Sequence, residues 1–517
     1  MRSLKFTLII LISLLIVIPI RAKEQNDSLI QKKVDYQFLY SQYNNFFSEV
    51  PSLLSLWNYD NWSYLGMKYN FQEGNFRDLQ KYNKLQQLNI STESLYKLPN
   101  TNWTFHGKFS YSNGQADSVG SNLSYNIGRN GSPYYLLQLK RGNWSLQSYQ
   151  FYAAGSNEIS ERLSLGFKIG YIGDLAFRTI DTRNSQPTLH TNIVLSANYK
   201  VTEKQTISMG LEHDRLKTEP SLSDKFQHTS ADQRYGRYLN GGLGTYFKNV
   251  NYRLINTTQK GGILLQWLCQ NKYSTYTAIY KANLGQDIFV NKNITDVNEE
   301  HRVLNYSFNQ HYGRLSTLNK VSNYFIISKL DFTITKGNGK IWNEPDNSYI
   351  ENYKADIFQT DFKATLYSPL SSLRRINLLV NYINESRFDG SYGYSFDYST
   401  LFGELNTEFL FNFSSIRTGL MIGAAYGKNL NNYHNPNAAS SNLYLNWVAD
   451  PLMSFLATDY IEIPAYLRFD IPAKNSLVEL LLTAKHQFPL KMNYQTGAQF
   501  DLKDKFLSYC LSVRVYF

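Results

Sequence analysis

Any acid–base or nucleophilic chemistry in this chain would start from its eight histidines, His106, His190, His213, His228, His301, His311, His434 and His486. An imidazole moves a proton near neutral pH, and it activates a serine when a carboxylate orients its second nitrogen. That arrangement needs a serine held on a tight turn, and no glycine-flanked serine elbow occurs. His486 follows Lys485 in a strand-like run, and His434 lies in an Asn-rich stretch. Neither has a nucleophile beside it, so the chain reads as no enzyme. Metal chemistry fares no better. Glu212, His213 and Asp214 are contiguous, but a strand alternates its faces, so Glu212 and Asp214 share a side that His213 does not. Glu344 and Asp346 share one loop without the ladder of oxygen ligands that calcium needs. The two cysteines, Cys269 and Cys510, fall on opposite strand faces and read as unpaired. No cofactor and no metal is expected.

The more informative charges are those on the polar face of alternating runs. Lys108, Lys140, Lys168, Lys281, Arg375, Arg417, Arg468 and Arg514 point away from the apolar face, as do Glu212, Glu462, Asp470, Glu479 and Asp501. A ring of bases inside a pore favours anions. The competing reading is that these charges pair across strands and hold the wall in shape. The net charge is +11, and removal of Arg2, Lys5 and Arg21 with the leader would leave +8. Lys and Arg are scattered singly, without the basic patch of a nucleic-acid binder.

The elements that would carry these residues have a period of two. In the last strand Leu507, Tyr509, Leu511, Val513, Val515 and Phe517 share one face, opposite Phe506, Ser508, Cys510, Ser512, Arg514 and Tyr516. Leu163, Leu165, Phe167, Ile169 and Tyr171 alternate with Ser164, Gly166, Lys168 and Gly170. Ile193, Leu195, Ala197 and Tyr199 alternate with Asn192, Ser196, Asn198 and Lys200, although Val194 breaks the polar row. Trp103, Phe105, Phe109 and Tyr111 alternate with Asn102, Thr104, His106 and Lys108, and Tyr494 to Leu502 alternates likewise. Runs of about ten residues exceed the length usual for soluble strands. An apolar outer face and a polar inner face are what a strand needs to cross lipid in a closed barrel. The fold class is therefore all-β, a transmembrane antiparallel up-and-down β-barrel of roughly 20 strands, within about four. Candidate long outer loops are 218–236, 285–300, 340–354 and 430–458. Trp57, Trp62, Trp103, Trp144 and Trp447 read as interfacial girdle residues, and Trp267 as lipid-facing.

The composition agrees: Tyr 41 and Phe 31 are high, Cys 2 and Pro 13 are low, and charged residues make up only 18%. Arg2 and Lys5 precede an apolar stretch from Phe6 to Ile20, with Ala22 at a plausible cleavage site. Residues 1–22 are thus predicted to be a signal peptide. Residues 23–57 form a helical segment, lumenal or periplasmic, with Ser28 to Val50 as helix and Pro51 as its stop. Residues 58–517 are the barrel.

Three stretches carry a resemblance. They are Pro133-Tyr134-Tyr135-Leu136-Leu137 with Gly142-Asn143-Trp144, then Tyr235-Gly236-Arg237-Tyr238 with Asn240-Gly241-Gly242, and Arg514-Val515-Tyr516-Phe517. The glycine-rich stretch lacks the Gly-Lys-Ser/Thr ending of a phosphate loop, and its glycines mark a bend or a close backbone approach. With these motifs the chain resembles a domain-of-unknown-function family of outer-membrane β-barrels from Bacteroidota-type Gram-negative bacteria. The resemblance implies an outer-membrane location and no known catalytic residues. The first expectation for function is a channel for small or medium solutes, partner-gated or passive. The alternative is a closed barrel serving as a surface-binding or assembly module, and an outer-membrane enzyme ranks third. Expected partners are outer-membrane lipid and lipopolysaccharide, the barrel assembly machinery, which reads Leu507 to Phe517, and a periplasmic or surface lipoprotein.

Overall fold

The computed structural model describes residues 40–57, 61–124, 129–225, 236–243, 246–248, 253–292, 300–343, 346, 348–368, 373–413, 416–435, 445–473, 476–492 and 505–517. The predicted signal peptide, the strand expected over Tyr494 to Leu502, and Asp501 lie outside them. The main sheet has 19 strands. One of these, Ser221–Ser223, is a short strap paired on Arg183–Lys200; the other eighteen close on themselves. Closure is made by the first and last staves, Trp62–Gly74 against Phe506–Tyr516, in register from Tyr64↔Tyr516 to Gly74↔Phe506. Each of the eighteen staves pairs antiparallel with the next in chain order, and the seam joins the last to the first, so the barrel is up-and-down. Closure leaves no unpaired edge, the one condition under which a sheet tolerates hydrocarbon.

The staves run from 11 residues in Phe506–Tyr516 to 22 in Glu300–Val321. A tilted strand needs about 9–11 residues to cross a bilayer, so the longer ones project beyond it. The outer face is apolar: Leu195, Leu211, Met209 and Ile207 are 58%, 59%, 55% and 52% exposed, whereas inward neighbours Ser196 and Ser208 are buried. Among the described residues no helix is long and apolar enough to cross a membrane.

The two ends differ. Both barrel termini, Trp62 and Phe517, lie at an end closed by tight connections such as Gln270 to Ser274 and Val321 to Tyr324. The opposite end carries the long ones, including 120–141 between Trp103–Val119 and Gly142–Glu158. That segment was not among the sequence-predicted loops. Conversely, 340–354 is no long loop: the ladder runs to Asn343↔Ser348. The expected girdle also needs correcting. Trp57, Trp62 and Trp144 are at most 5% exposed and pack inside, while Trp267, at 39%, faces outward.

Candidate functional site

An eighteen-stranded barrel is wide enough to hold an aqueous channel. Here chain from its own two ends occupies the lumen. The first insert is Tyr40–Trp57, whose aromatic and aliphatic side chains have nowhere apolar to go except the lumen. Tyr43, Phe46, Phe47, Val50, Leu53, Leu54 and Trp57 form one buried cluster with wall residues Trp62, Leu95, Leu264, Leu318, Leu477 and Tyr516. The helix ends at Phe47 rather than at Val50, and Pro51 does not stop it but opens a separate 3-10 turn, Pro51–Leu56. Proline suits a first helical position because that N–H has no partner in the helix.

This turn sits in a berth of small polar wall residues. The Ser52 N–H donates to Ser196 Oγ at 2.9 Å, while its carbonyl accepts from Ser156 Oγ at 2.8 Å and Asn198 Nδ2 at 2.6 Å. Ser55 Oγ donates to Ser164 Oγ at 2.9 Å. At the centre of the berth is Gly166, where a Cβ would stand 2.3 Å from the Ser52 nitrogen. Only a residue without a side chain lets the two backbones come this close. The inward row Ser164, Gly166, Ser196, Asn198, read from the sequence as polar lumen, is thus a docking surface for backbone.

Deeper in, Glu49 meets the wall's charges. Its carboxylate lies 2.7 Å from Lys281 Nζ and 3.2 Å from Arg314 Nη1, on adjacent staves. Burial alone would raise its pKa, but Lys281, Lys168 and Arg314 outweigh that and hold it down at about 2. From this point a belt of ion pairs runs along the wall. Lys281 also reaches Glu212 at 3.5 Å, and Arg314 reaches Asp331 at 2.7 Å. Further round are Arg375–Glu408, Arg468–Glu408, Arg468–Asp470 and Arg514–Glu479, at 3.7, 3.1, 3.3 and 3.3 Å. The belt continues past the seam with Lys108–Glu93 at 3.7 Å, where His106 Nε2 also lies within hydrogen-bond distance of Glu93, at 3.0 Å. Tyr43 of the insert touches it there, its hydroxyl 2.9 Å from His106 Nδ1.

Of the sequence-predicted lumen charges, Lys108, Lys281, Arg375, Arg468, Arg514, Glu212, Asp470 and Glu479 lie in this belt. Lys168 is buried beside Glu49, and Arg417 donates to Asn412 at 3.2 Å. Glu462 pairs with Lys485 at 2.5 Å. Lys140 is on no stave; it follows the short strand Tyr135–Leu137, and its carbonyl accepts from Arg178 at 2.8 Å. Glu49, Arg314, Asp331 and Glu408 were missed. His190, not His213, joins the acidic pair: its Nε2 is 2.7 Å from Asp214, and Asn192 donates to Glu212 at 2.9 Å. Cross-strand register decides that, and one strand's own alternation carries no trace of it. Both ring nitrogens of His106 are engaged, by Tyr43 and Glu93, and among the described residues no serine bonds either imidazole.

The second insert fills the opposite end. Tyr135–Leu137, Tyr238–Asn240 and Tyr246–Lys248 form a three-stranded sheet inside the barrel mouth, with Tyr238↔Leu137 and Asn240↔Tyr135 in register. Tyr134 to Leu137, Leu139, Tyr238, Leu239 and Leu243 are buried with wall residues Tyr306, Phe308, Tyr353 and Tyr394, and with Met453 of the short helix Asp450–Leu456. The wall pins the insert through backbone. Tyr306 donates to the Asn130 carbonyl at 2.8 Å, Tyr353 to that of Gly131 at 3.0 Å, and Asn352 to that of Gly241 at 2.8 Å. The Leu243 N–H donates to Asp389 at 2.8 Å. Two of the three stretches that carried the family resemblance thus come together as this sheet, and a Cβ at Gly236 or Gly242 would meet side chains, those of Tyr238 and Asp389, rather than backbone.

Solved structures with similar architecture are outer-membrane barrels. They include the Pseudomonas putida toluene transporter TodX (10% identity, 91% of each chain covered, TM-score 0.30). The outer membrane transporter YddB of Escherichia coli matches at 8% identity, with 88% of this chain and 81% of that one covered and a TM-score of 0.40. Pseudomonas aeruginosa OccK11 matches at 10% identity, with 89% and 96% covered and a TM-score of 0.35. No protein of curated function matches by sequence. The profile of a family of unknown function, DUF6850, spans residues 51–517, taking in the turn Pro51–Leu56, the second lumenal insert and the whole barrel, and the chain belongs to that family.

Proposed function

We propose that this protein is an outer-membrane transport barrel for small or medium solutes that rests closed, with Tyr40–Trp57 as the plug at the end shared by both termini. The observation that carries this is how the segment is held. Its backbone is gripped at Ser52 by three side chains from two staves, and its one carboxylate is clamped between Lys281 and Arg314. A filler needed only for stability would gain from apolar contact alone. A seat built from exchangeable hydrogen bonds and ion pairs can be vacated, because water replaces those partners at small net cost. The seven apolar side chains, each contributing roughly 1.5–3 kcal/mol when buried, set the resting state. The plug lies at the end with tight turns, the periplasmic side in such barrels. A periplasmic or lipoprotein partner that binds the chain preceding Tyr40 would unseat it.

In this reading residues 1–22 are the export signal, 23–57 the plug with its leash and 58–517 the barrel, inserted in lipid and lipopolysaccharide by the assembly machinery. The lumen charges Lys108, Lys168, Lys281, Arg375, Arg468 and Arg514, against Glu212, Asp470 and Glu479, then set ion preference. The test is single-channel recording in a planar bilayer under asymmetric salt, comparing the mature protein with a variant lacking residues 23–57, both heat-modifiable on gels. Small, rare openings that become large and steady in the deletion are expected. Silence in both would overturn the channel and favour a closed surface-binding or assembly barrel.

A further inference from the structure

Between the plug and the wall lies a cavity of about 300 Å³ lined by Lys329, Lys363, Arg375, Arg468 and Arg514, and by no carboxylate among the described residues. Four of these cations have their counter-charges set behind them in the belt: Asp331 lies 2.6 Å from Lys329, Glu408 serves Arg375 and Arg468, and Glu479 serves Arg514. Lys363 has no carboxylate within ion-pair distance among the described residues. It lies directly opposite Lys329 in the ladder, where like charges destabilise a sheet. Arg468 is 2% exposed, and its Nη2 has no hydrogen-bond partner among the described residues. Tyr40 of the plug and Tyr466 of the wall also line it, among uncharged residues.

We infer that this cavity binds a small organic or inorganic anion carrying two or more negative charges on carboxylate or phosphate oxygens. Two facing lysines, an arginine with a vacant donor and two further guanidinium groups converge on one space, with the anions withdrawn behind them. Guanidinium forks match the paired oxygens of carboxylate and phosphate, and Lys363 supplies a point charge. The volume is at the lower end for small-molecule sites, enough for a compact oxyanion. The lipid-facing surface has no part in the site, so the ligand arrives through water.

Titration calorimetry on the full mature protein in detergent tests this, with inorganic phosphate and citrate as probes and sodium chloride of matched ionic strength as reference. Saturable one-to-one binding of phosphate or citrate is expected, weakened about tenfold or more in Lys363→Gln. It should be unchanged in Lys260→Gln, a lumenal lysine lining a different cavity that also holds Glu49 and Glu212. Citrate binding alone would assign an organic acid, and phosphate alone a phosphate or phosphorylated solute. No saturable heat with either probe, or equal affinity in folded Lys363→Gln, would overturn the site. Binding is read without current, so the result stands apart from whether the plug moves.

Discussion

The α-carbon of Gly166 faces the backbone of Ser52 so closely that a β-carbon on it would stand 2.3 Å from the Ser52 nitrogen. The obstacle is backbone, which no rotamer change can move aside. Gly166→Ala should therefore expel the turn Pro51–Leu56 while leaving the wall intact, since alanine is at ease in an extended strand. Overpacking of this kind costs about 1–3 kcal/mol, charged to the seat alone. Gly170, on the same inward row, has its nearest contact at an ordinary 3.6 Å and serves as control. Raised conductance in Gly166→Ala but not in Gly170→Ala is expected. Equal conductance in the two would remove Gly166 from the gate.

Acid should loosen the same seat through Glu49. Its pKa in the seated state is about 2, below the ordinary 4.5. A group whose folded pKa is depressed stabilises above its free pKa, and that contribution is lost as pH falls through the folded value. The clamp is thus complete above pH 4.5 and fails between there and about 2, a loss on the order of 3 kcal/mol. Ser52 is fully buried and its hydroxyl has no hydrogen-bond partner among the described residues, so a cysteine there reports on seating. With Cys269 and Cys510 replaced by serine, Ser52→Cys should resist a water-soluble thiol-disulfide probe at pH 6. It should react faster as pH falls from 4.5 toward 3, after correction for intrinsic thiol reactivity. Adding Glu49→Gln should give fast labelling at every pH; a flat, slow profile in both would show that the ion pairs do not hold the plug.

How much of this was legible beforehand follows from what a single strand can show. The outward rows, such as Leu163 to Tyr171, state the fold directly, because lipid accepts only apolar side chains there. The inward rows show polarity but not partners. Lys281 meets Glu212 and Glu49 because of register and lumen filling, neither of which is written in any one strand. Two features of the sequence do carry the filling. Gly166 beside Ser164 in an inward row is too small a pair for a wall facing water, and fits a wall facing backbone. Tyr134 to Leu137 is apolar without alternation, the pattern of a strand buried on both sides.

The insert at the other mouth should open independently of the plug. Asp389 is fully buried, accepts the Leu243 N–H at 2.8 Å and also the Ser391 N–H at 3.0 Å. Asp389→Ala leaves the buried Leu243 N–H unmet, at about 1–3 kcal/mol. Faster hydrogen exchange over 236–243 is expected, with exchange at Leu53 and Leu54 unchanged. Slow exchange retained at 236–243 would mean that the sheet is held by Tyr306, Asn352 and Tyr353 without Asp389.

The closing strand is the most severe case. Phe506–Tyr516 is bonded on both sides, to Ser476–Met492 and to Trp62–Gly74, and the Phe517 N–H donates to the Ser63 carbonyl at 3.0 Å. Removing residues 507–517 exposes two long edges in lipid, where every unpaired N–H and carbonyl costs several kcal/mol. No rearrangement of the remaining seventeen staves restores an even, antiparallel closure. The truncated chain should yield no heat-modifiable species and should not accumulate in the outer membrane. Phe517→Ser keeps the seam, so it should refold in detergent as the parent does. If the assembly machinery reads the terminal aromatic residue, Phe517→Ser should nevertheless reach the outer membrane at a fraction of the parent's level in cells. Normal insertion in cells would show that closure alone, and not recognition of Leu507 to Phe517, is what the strand provides.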